Sequence, residues 1–450
     1  MIQPPGDQVG VDDLSVHIPK LFLSAAGEFS SARDINPAKL TRGIGIEEMA
    51  VPDAHEDAAT MAAMSLLELM KRNDISPEEI GKIYIGTESA VDEAKAMGTY
   101  VIGMLEKIYG EGSFQDCSTV EFKSACIGTT LALESLSYWA AQEDDGRVGI
   151  VIASDIAKYP LRSPGEYTQG AGSVSLLVKR RPRLLSLEKD FGSFTKDEND
   201  FFRPPGASTA VVNGKHSNFC YINAVTGAFD AFAKRALRKG TIRLKEGECL
   251  ADHISHLLFH IPYPRMAEYA SAAIFRHCWR SLPRWEEVEA EIGSEPKPSD
   301  YPSFDLFTLA DADFGKRFAR TNLFLEEFKA KVLDTTDISR RVGNIYTGSI
   351  YLGLASLIEL RKLHPAERIC FCAYGSGCSS LVFSGIVQPD ASSLPSRDLE
   401  KRLDERKQIR LEEYERLHEG KMEKSILQPS EEFALLSIDH QGYRHYDYLD

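Results

Sequence analysis

Short apolar runs alternate along the chain with longer stretches in which apolar residues recur every three or four positions. The runs predict buried strands at Lys82–Thr87, Gly149–Ser154, Ser173–Lys179, His256–His260, Arg368–Tyr374 and Ser379–Ser384. The periodic stretches predict helices. Asp53–Arg72 sets Ala58, Met61, Ala62, Leu66, Leu67 and Met70 on one face, and a second helix runs from about Ala94 to Ile108. A third follows Cys126, with Leu131, Leu133, Leu136 and Trp139 near helical spacing, and a turn at Gly343 leads into an apolar helix through Ile358. Ser76-Pro-Glu-Glu is a helix start with Pro in the first turn. Residues 11–24 give a first strand and a turn at Pro19. Strands alternating with helices imply an α/β fold with a mainly parallel sheet covered on both faces.

Three stretches depart from this alternation. Residues 280–305, with Pro283, Pro296, Pro298 and Pro302, read as a surface connection before a helical pattern at 313–333. From Arg397 to about Lys424 a heavily charged helix is expected, its charges forming a solvated face. Phe433–Ile438 and Tyr443–Tyr448 then predict a final strand pair.

The order of elements repeats. Gly170-Ala-Gly-Ser-Val-Ser-Leu-Leu-Val178 matches Gly375-Ser-Gly-Cys-Ser-Ser-Leu-Val-Phe383, and the segment from Gly128 to Leu136 resembles the one from Gly348 to Leu357. Each half runs from a strand with a titratable residue at its end, through a helix start, to a Gly-x-Gly strand. A duplicated unit is the reading, with Glu88 opposite His260 and Cys126 opposite Asn344. The halves fall at 1–180 and 181–390, with an extension at 391–450.

Composition narrows the function. At 43% apolar and 26% charged over 450 residues, the chain has ample material for a core. A net charge of −15 argues against a nucleic-acid partner. No apolar run reaches the roughly 18 residues of a membrane span. Met1–Asp13 carries Pro4, Pro5 and acids rather than a basic and apolar signal. The eight cysteines are scattered without a framework spacing, which suits a reducing cytoplasm. Cys370 and Cys372 alternate within an apolar run and read as strand residues, not metal ligands.

Cys126, His260, Asn344 and Glu88 carry candidate chemistry. Cys126 sits at a helix start, where free backbone N–H groups and the dipole favour the nucleophilic thiolate, although a small buried core residue has the same signature. His260 ends a buried strand just before Pro262, where the chain must leave the sheet at the edge that binds ligands in such folds. His253, His256 and His260 mimic metal spacing on a helix, but on a strand they would not converge, so no metal is expected. Glu88 ends another strand and is either a helix-start partner or a general acid/base. The Gly375-Ser-Gly turn, whose glycines permit close backbone approach, is the candidate source of a second oxyanion donor.

These pieces resemble the 3-hydroxy-3-methylglutaryl-coenzyme A synthase family of the thiolase superfamily. The resemblance rests on Gly86-Thr-Glu-Ser, Lys123-Ser-Ala-Cys-Ile-Gly, Ile152-Ala-Ser-Asp-Ile-Ala-Lys-Tyr159 and Thr168-Gln-Gly-Ala-Gly172. It continues with Asp200-Phe-Phe-Arg-Pro204, Phe259-His-Ile-Pro262, Gly343-Asn-Ile-Tyr-Thr-Gly-Ser349 and Tyr374-Gly-Ser-Gly377, all in the family's order. It implies a thiolase-like duplicated αβαβα layered fold with a C-terminal helical and strand extension, dimeric, without metal or cofactor.

The implied reaction condenses acetyl-CoA with acetoacetyl-CoA and water to give 3-hydroxy-3-methylglutaryl-CoA and CoA, in the mevalonate route to isoprenoids. An acetoacetyl-CoA thiolase would be a natural partner. By the resemblance, Cys126 is acetylated, Glu88 is the general acid/base, and His260 and Asn344 hold the acetoacetyl group. Tyr159, Tyr374 and Ser376 line the pocket, Asp155 and Asp200 order it, and Arg265 contacts CoA. Two positions depart from the family. Ile127 replaces a common Tyr, removing a hydroxyl expected in the pocket, and Arg265 replaces a common Lys. The alternatives are a β-branching synthase acting on carrier-protein-bound acyl groups and a non-catalytic scaffold that binds CoA or a partner.

Overall fold

The structure, a computed structural model, describes residues 8–450. The reading of the extreme N-terminus as no signal sequence falls, for residues 1–7, outside the described residues. A sheet of ten strands runs through the chain. In chain order they are β1 (Val9–His17), β2 (Ile80–Gly86), β3 (Ser118–Phe122), β4 (Val148–Ile156), β5 (Ala171–Arg180), β6 (Leu185–Leu187), β7 (Gly192–Thr195), β8 (His256–Phe259), β9 (Arg368–Gly375) and β10 (Ser379–Val387). The order across the sheet is β8-β9-β10-β6-β1-β5-β4-β2-β3, with β7 also pairing β10.

The repeat seen in the sequence is a repeat of pairing. In the first half β2 and β4 are parallel, β4 and β5 form an antiparallel pair, and β5 turns back onto β1. In the second half β8 and β9 are parallel, β9 and β10 are antiparallel, and β10 pairs β6 and β7. Glu88 and His260 therefore leave the corresponding strands β2 and β8.

Alternation along the strands separates the layers. Val174, Leu176, Phe371 and Phe383 point into one core with Leu133 and Leu136 of α3 (Gly128–Gln142) and Leu352 and Leu354 of α6 (Ser349–Leu360). These helices form the middle layer, and Thr130 Oγ1 meets Tyr351 Oη at 3.0 Å between them. The opposite face of the first half, with Ile83, Ile85, Ile150 and Ile152, is covered by α1 (Ala58–Asn73) and α2 (Met97–Tyr109). Each of those buried isoleucines contributes roughly 1.5–3 kcal/mol. The opposite face of the second half, with Cys370, Cys372 and Val382, is covered by α4 (Gly214–Lys239) and α5 (Pro264–Trp279). The order of layers is helix, sheet, helix, sheet, helix.

Four expectations need correction. The sheet is not mainly parallel: three of its strand pairings are parallel and six antiparallel, because β1, β5, β6, β7 and β10 join through antiparallel neighbours. The 26-residue helix α4 is absent from the sequence reading although it walls the second half. The connection at 280–305 is not all surface, because Trp285–Ile292 is a helix that buries Trp285 and Val288. The tail is not one solvated helix. It breaks into Leu399–Asp404, a short strand Lys407–Gln408 and Leu411–His418. Two of its arginines are pinned inside: Arg397 donates to Asp13 Oδ1 at 2.6 Å, and Arg406 to Glu48 and the Arg341 carbonyl.

The final strands, Glu432–Ile438 and Arg444–Leu449, form the expected antiparallel pair. Arg444 and Tyr446 donate to Asp57, the N-cap of α1, at 2.9 and 2.6 Å. No helix among the described residues is long and apolar enough to cross a membrane.

Candidate active site

Backbone approach, permitted by two glycines, brings Cys126 and Glu88 together. A Cβ on Gly86 would stand 2.1 Å from the Thr129 nitrogen, so only glycine lets the start of α3 sit on the end of β2. A Cβ on Gly375 would stand 2.9 Å from the Ile127 nitrogen and the Ser124 carbonyl, so that turn abuts the Cys126 loop. Ala125, just before the thiol, is held at φ 46°, a left-handed conformation that costs a non-glycine residue energy and aims the next side chain. Cys126 Sγ then donates to Glu88 Oε1 at 2.7 Å.

Cys126 lies on a cavity of ≈ 210 Å³ that also presents Tyr159, His260, Asn344, Tyr374 and Ser376. Six of the predicted residues thus meet in one space. Asn344 Oδ1 accepts from the Tyr346 N–H at 2.8 Å and from Ser349 Oγ at 3.0 Å. This anchoring leaves its amide nitrogen as the donor available to the cavity.

Asp155 and Asp200 stand behind the wall, and each is a hub. Asp155 accepts from the Glu88 N–H at 2.7 Å, from Thr87 and Ser89 hydroxyls at 3.0 Å, and from the Thr347 N–H at 3.1 Å. It ties the loop after β2 to the turn before α6, so one carboxylate joins the two halves. Asp200 accepts from Tyr374 Oη at 2.7 Å, the Gly377 N–H at 2.9 Å and Ser217 Oγ at 3.1 Å.

Arg265 is not brought into the cavity. It sits on the first turn of α5, paired with Glu268 and donating to the Arg42 and Gly43 carbonyls at 2.8 and 3.4 Å. Ile127 also lies elsewhere than expected: it is 1% exposed and belongs to the middle core, not to the pocket.

Burial dominates the electrostatics. The Glu88 carboxyl is pushed up to about 8, first by loss of solvent and then by the Asp155 charge. Asp155 is itself raised to about 6 by burial, against the pull of its donors. The Cys126 thiol is pushed well up by burial and by the adjacent Glu88 charge. This reverses the expectation of a favoured thiolate, because desolvation and clustered carboxylates outweigh the end of one helix. The His260 imidazole is pushed down to about 3 by burial, so it is neutral across the working pH range. Its Nδ1 is sealed without a partner among the described residues, and Tyr221 Oη donates to its carbonyl at 2.7 Å. His253 and His256 face Glu248 and Glu367, so the three histidines do not converge.

The sequence reading missed four aromatic walls, Phe201, Tyr221, Tyr263 and Tyr346. Tyr346 had a signal. Aligning Gly128 with Gly348 makes Tyr346, not Asn344, the counterpart of Cys126, and its own φ is 42°. The tail also reaches this wall, for His418 Nε2 meets the Tyr159 carbonyl at 2.9 Å and Tyr414 shares hydrogen bonds with Gln169 and Glu166.

Comparison with known proteins gives one answer along the whole chain. Residues 5–182 match the N-terminal family of hydroxymethylglutaryl-coenzyme A synthases, and residues 185–437 match the C-terminal one. The hydroxymethylglutaryl-CoA synthase of Haloferax volcanii is 31% identical over 98% of this chain and 99% of its own. That of Enterococcus faecalis is 32% identical over 96% of each. The solved structure of MvaS in complex with 3-hydroxy-3-methylglutaryl coenzyme A is 30% identical and superposes with a TM-score of 0.81 over 98% of this chain and 99% of that one. The layered fold is accordingly thiolase-like. The chain belongs to the hydroxymethylglutaryl-coenzyme A synthase family.

Proposed function

We propose that this enzyme condenses acetyl-CoA with acetoacetyl-CoA and water to give 3-hydroxy-3-methylglutaryl-CoA and CoA through an acetyl-Cys126 intermediate. The observation that carries the reading is the 2.7 Å contact between Glu88 Oε1 and the Sγ of Cys126, a residue on the cavity that His260 and Asn344 also line.

In the first step Cys126 Sγ attacks the acetyl carbonyl as its proton moves to Glu88. The C–S bond to CoA breaks, and Glu88 returns the proton to the departing thiolate. Covalent capture then fixes the acetyl group beside the electrophile. Glu88, ionised again, removes a proton from the acetyl methyl, and the resulting carbanion attacks the ketone of acetoacetyl-CoA. A neutral His260 donates from Nε2 to that ketone, because Nδ1, buried without a partner, keeps the lone pair. Glu88 gives its proton to the new alkoxide. Water then cleaves the Cys126 thioester, freeing the product carboxylate and restoring the thiol. The Gly377 N–H is committed to Asp200. The Cys126 and Ser376 N–H groups are left as the oxyanion donors.

Free CoA thioesters are the substrates and no cofactor takes part. Arg265, with Lys39 and Arg42 on the neighbouring turn Lys39–Ile44, supplies positive charge for the CoA phosphates outside the cavity. The enzyme works as a homodimer. Strand β3 supports this, since it pairs only with β2 among the described residues and leaves Val120 44% exposed on its edge. Eight free cysteines suit a cytoplasmic enzyme of the mevalonate pathway, supplied by an acetoacetyl-CoA thiolase. The test is release of CoA on mixing both free thioesters. Turnover supports the reading; turnover only with carrier-protein-bound acetyl groups would make this a β-branching synthase instead.

A further inference from the structure

We propose a second site, outside the Cys126 cavity, at which Glu198, His216 and Cys220 hold a zinc-class divalent ion. His216 and Cys220 lie one turn apart near the start of α4, so their side chains leave the same face of the helix. Glu198 reaches them from the segment that follows β7. His216 Nε2 stands 3.0 Å from Glu198 Oε2 and 3.5 Å from Cys220 Sγ, and all three atoms lie within 4.8 Å of one another. Around a tetrahedral zinc with Zn–N and Zn–O of about 2.0–2.1 Å and Zn–S of about 2.3 Å, neighbouring N and O sit about 3.3 Å apart and N and S about 3.6 Å. The side chains already stand at the spacing that a shared ion requires.

The donor set also selects the ion. Thiolate and imidazole with a single carboxylate favour zinc or cobalt over magnesium and calcium, which take oxygen ligands. Three protein ligands leave a fourth position for water, and the His216 side chain, 38% exposed, opens that side to solvent. Binding transfers the Cys220 proton to solvent, with His216 carrying its own proton on Nδ1. The ion also displaces the Lys196 ammonium, which pairs with Glu198 and is exposed enough to swing away.

None of the three ligands lines the catalytic cavity, yet the site adjoins its wall. Ser217, next to His216, donates to Asp200, which in turn holds Tyr374 and Gly377. An ion joining Glu198 to α4 therefore clamps the Lys196–Asp200 segment against the helix that supports this wall.

Titration of the reduced, metal-free full chain with Zn2+ by calorimetry, and with Co2+ by absorbance, tests the site. The proposal expects one ion per chain and a thiolate-to-cobalt charge-transfer band, both retained in Cys126→Ala. His216→Ala alters a partly exposed side chain. It should weaken binding by more than about 100-fold, beyond the 10–100-fold expected from loss of an outer-shell partner. Cys220→Ser should abolish the band. The proposal is overturned if wild type binds no ion, if His216→Ala binds as tightly as wild type, or if binding disappears in Cys126→Ala, which would place the ion on the catalytic thiol.

Discussion

Replacing Glu88 with Gln removes the proton carrier of the proposed reaction while keeping its shape, and the structure says how the loss should read out. With the carboxyl at about 8, roughly 1% of Glu88 is ionised at pH 6, about 10% at pH 7 and half at pH 8. The Cys126–Glu88 pair therefore gains its base as one apparent ionisation. In wild type, kcat/KM for acetyl-CoA should rise about 50-fold from pH 6 to pH 8 and only about twofold beyond. In Glu88→Gln that inflection disappears. Acetyl transfer to Cys126 slows, because the proton acceptor is lost, but it persists, because the substitution also removes a negative charge that holds the thiol protonated. Condensation falls by roughly 10²–10⁴, equivalent to about 2.7–5.4 kcal/mol of barrier.

The assay is single-turnover acetylation, followed separately from CoA release with both thioesters across pH. An inflection near 4.5, an inflection at 8 that survives in Glu88→Gln, or normal condensation by the variant would refute the reasoning. Stability carries the same signature. The folded carboxyl binds its proton up to about 8, whereas the unfolded one releases it near 4.5, so stability is lost as pH rises through that interval. Glu88→Gln should raise the unfolding midpoint more at pH 9 than at pH 5, as measured by urea denaturation.

Other outcomes follow from the same geometry. Histidine-selective NMR should find the His260 ring neutral and unchanging from pH 5 to pH 9, since burial holds its ionisation near 3; a step near 6.5 would contradict this. Asp155→Asn removes the charge beside Glu88 and mismatches a carboxylate that accepts only donors. The pH inflection should fall below 8 and stability should drop by about 1–3 kcal/mol in urea titrations. Ile127→Tyr adds bulk to a filled core rather than a hydroxyl to the pocket. It should lose about 1–3 kcal/mol of stability, while the ratio of acetyl-CoA to propionyl-CoA turnover stays constant.

Much of this site is legible in the sequence because its parts stand where a pattern stops. Glu88 and His260 follow buried strands, Cys126 precedes a periodic helix, and the duplication sets them in register. What local pattern misses depends on distance. The helix-end argument favoured a thiolate at Cys126, but the groups that decide its protonation, Glu88, Asp155 and Asp200, gather only in three dimensions. Arg397 and Arg406 read as solvated charges because Asp13 and Glu48, their partners, lie at the other end of the chain. Helix α4 hides for another reason. Its buried stripe is made of Cys220, Tyr221, Ala224, Val225, Ala228, Phe229, Phe232 and Ala236, with few of the large aliphatic residues that advertise an amphipathic helix.

The central claim is that Cys126 carries the acetyl group and passes it to acetoacetyl-CoA with the help of Glu88. Wild-type enzyme mixed with labelled acetyl-CoA, quenched in acid and mapped by peptide mass spectrometry, tests it most directly. The account predicts label on the Cys126 peptide, none in Cys126→Ala, and transfer of that label into 3-hydroxy-3-methylglutaryl-CoA when unlabelled acetoacetyl-CoA is added before the quench. Label on another residue, or label on Cys126 that acetoacetyl-CoA fails to discharge, would contradict it.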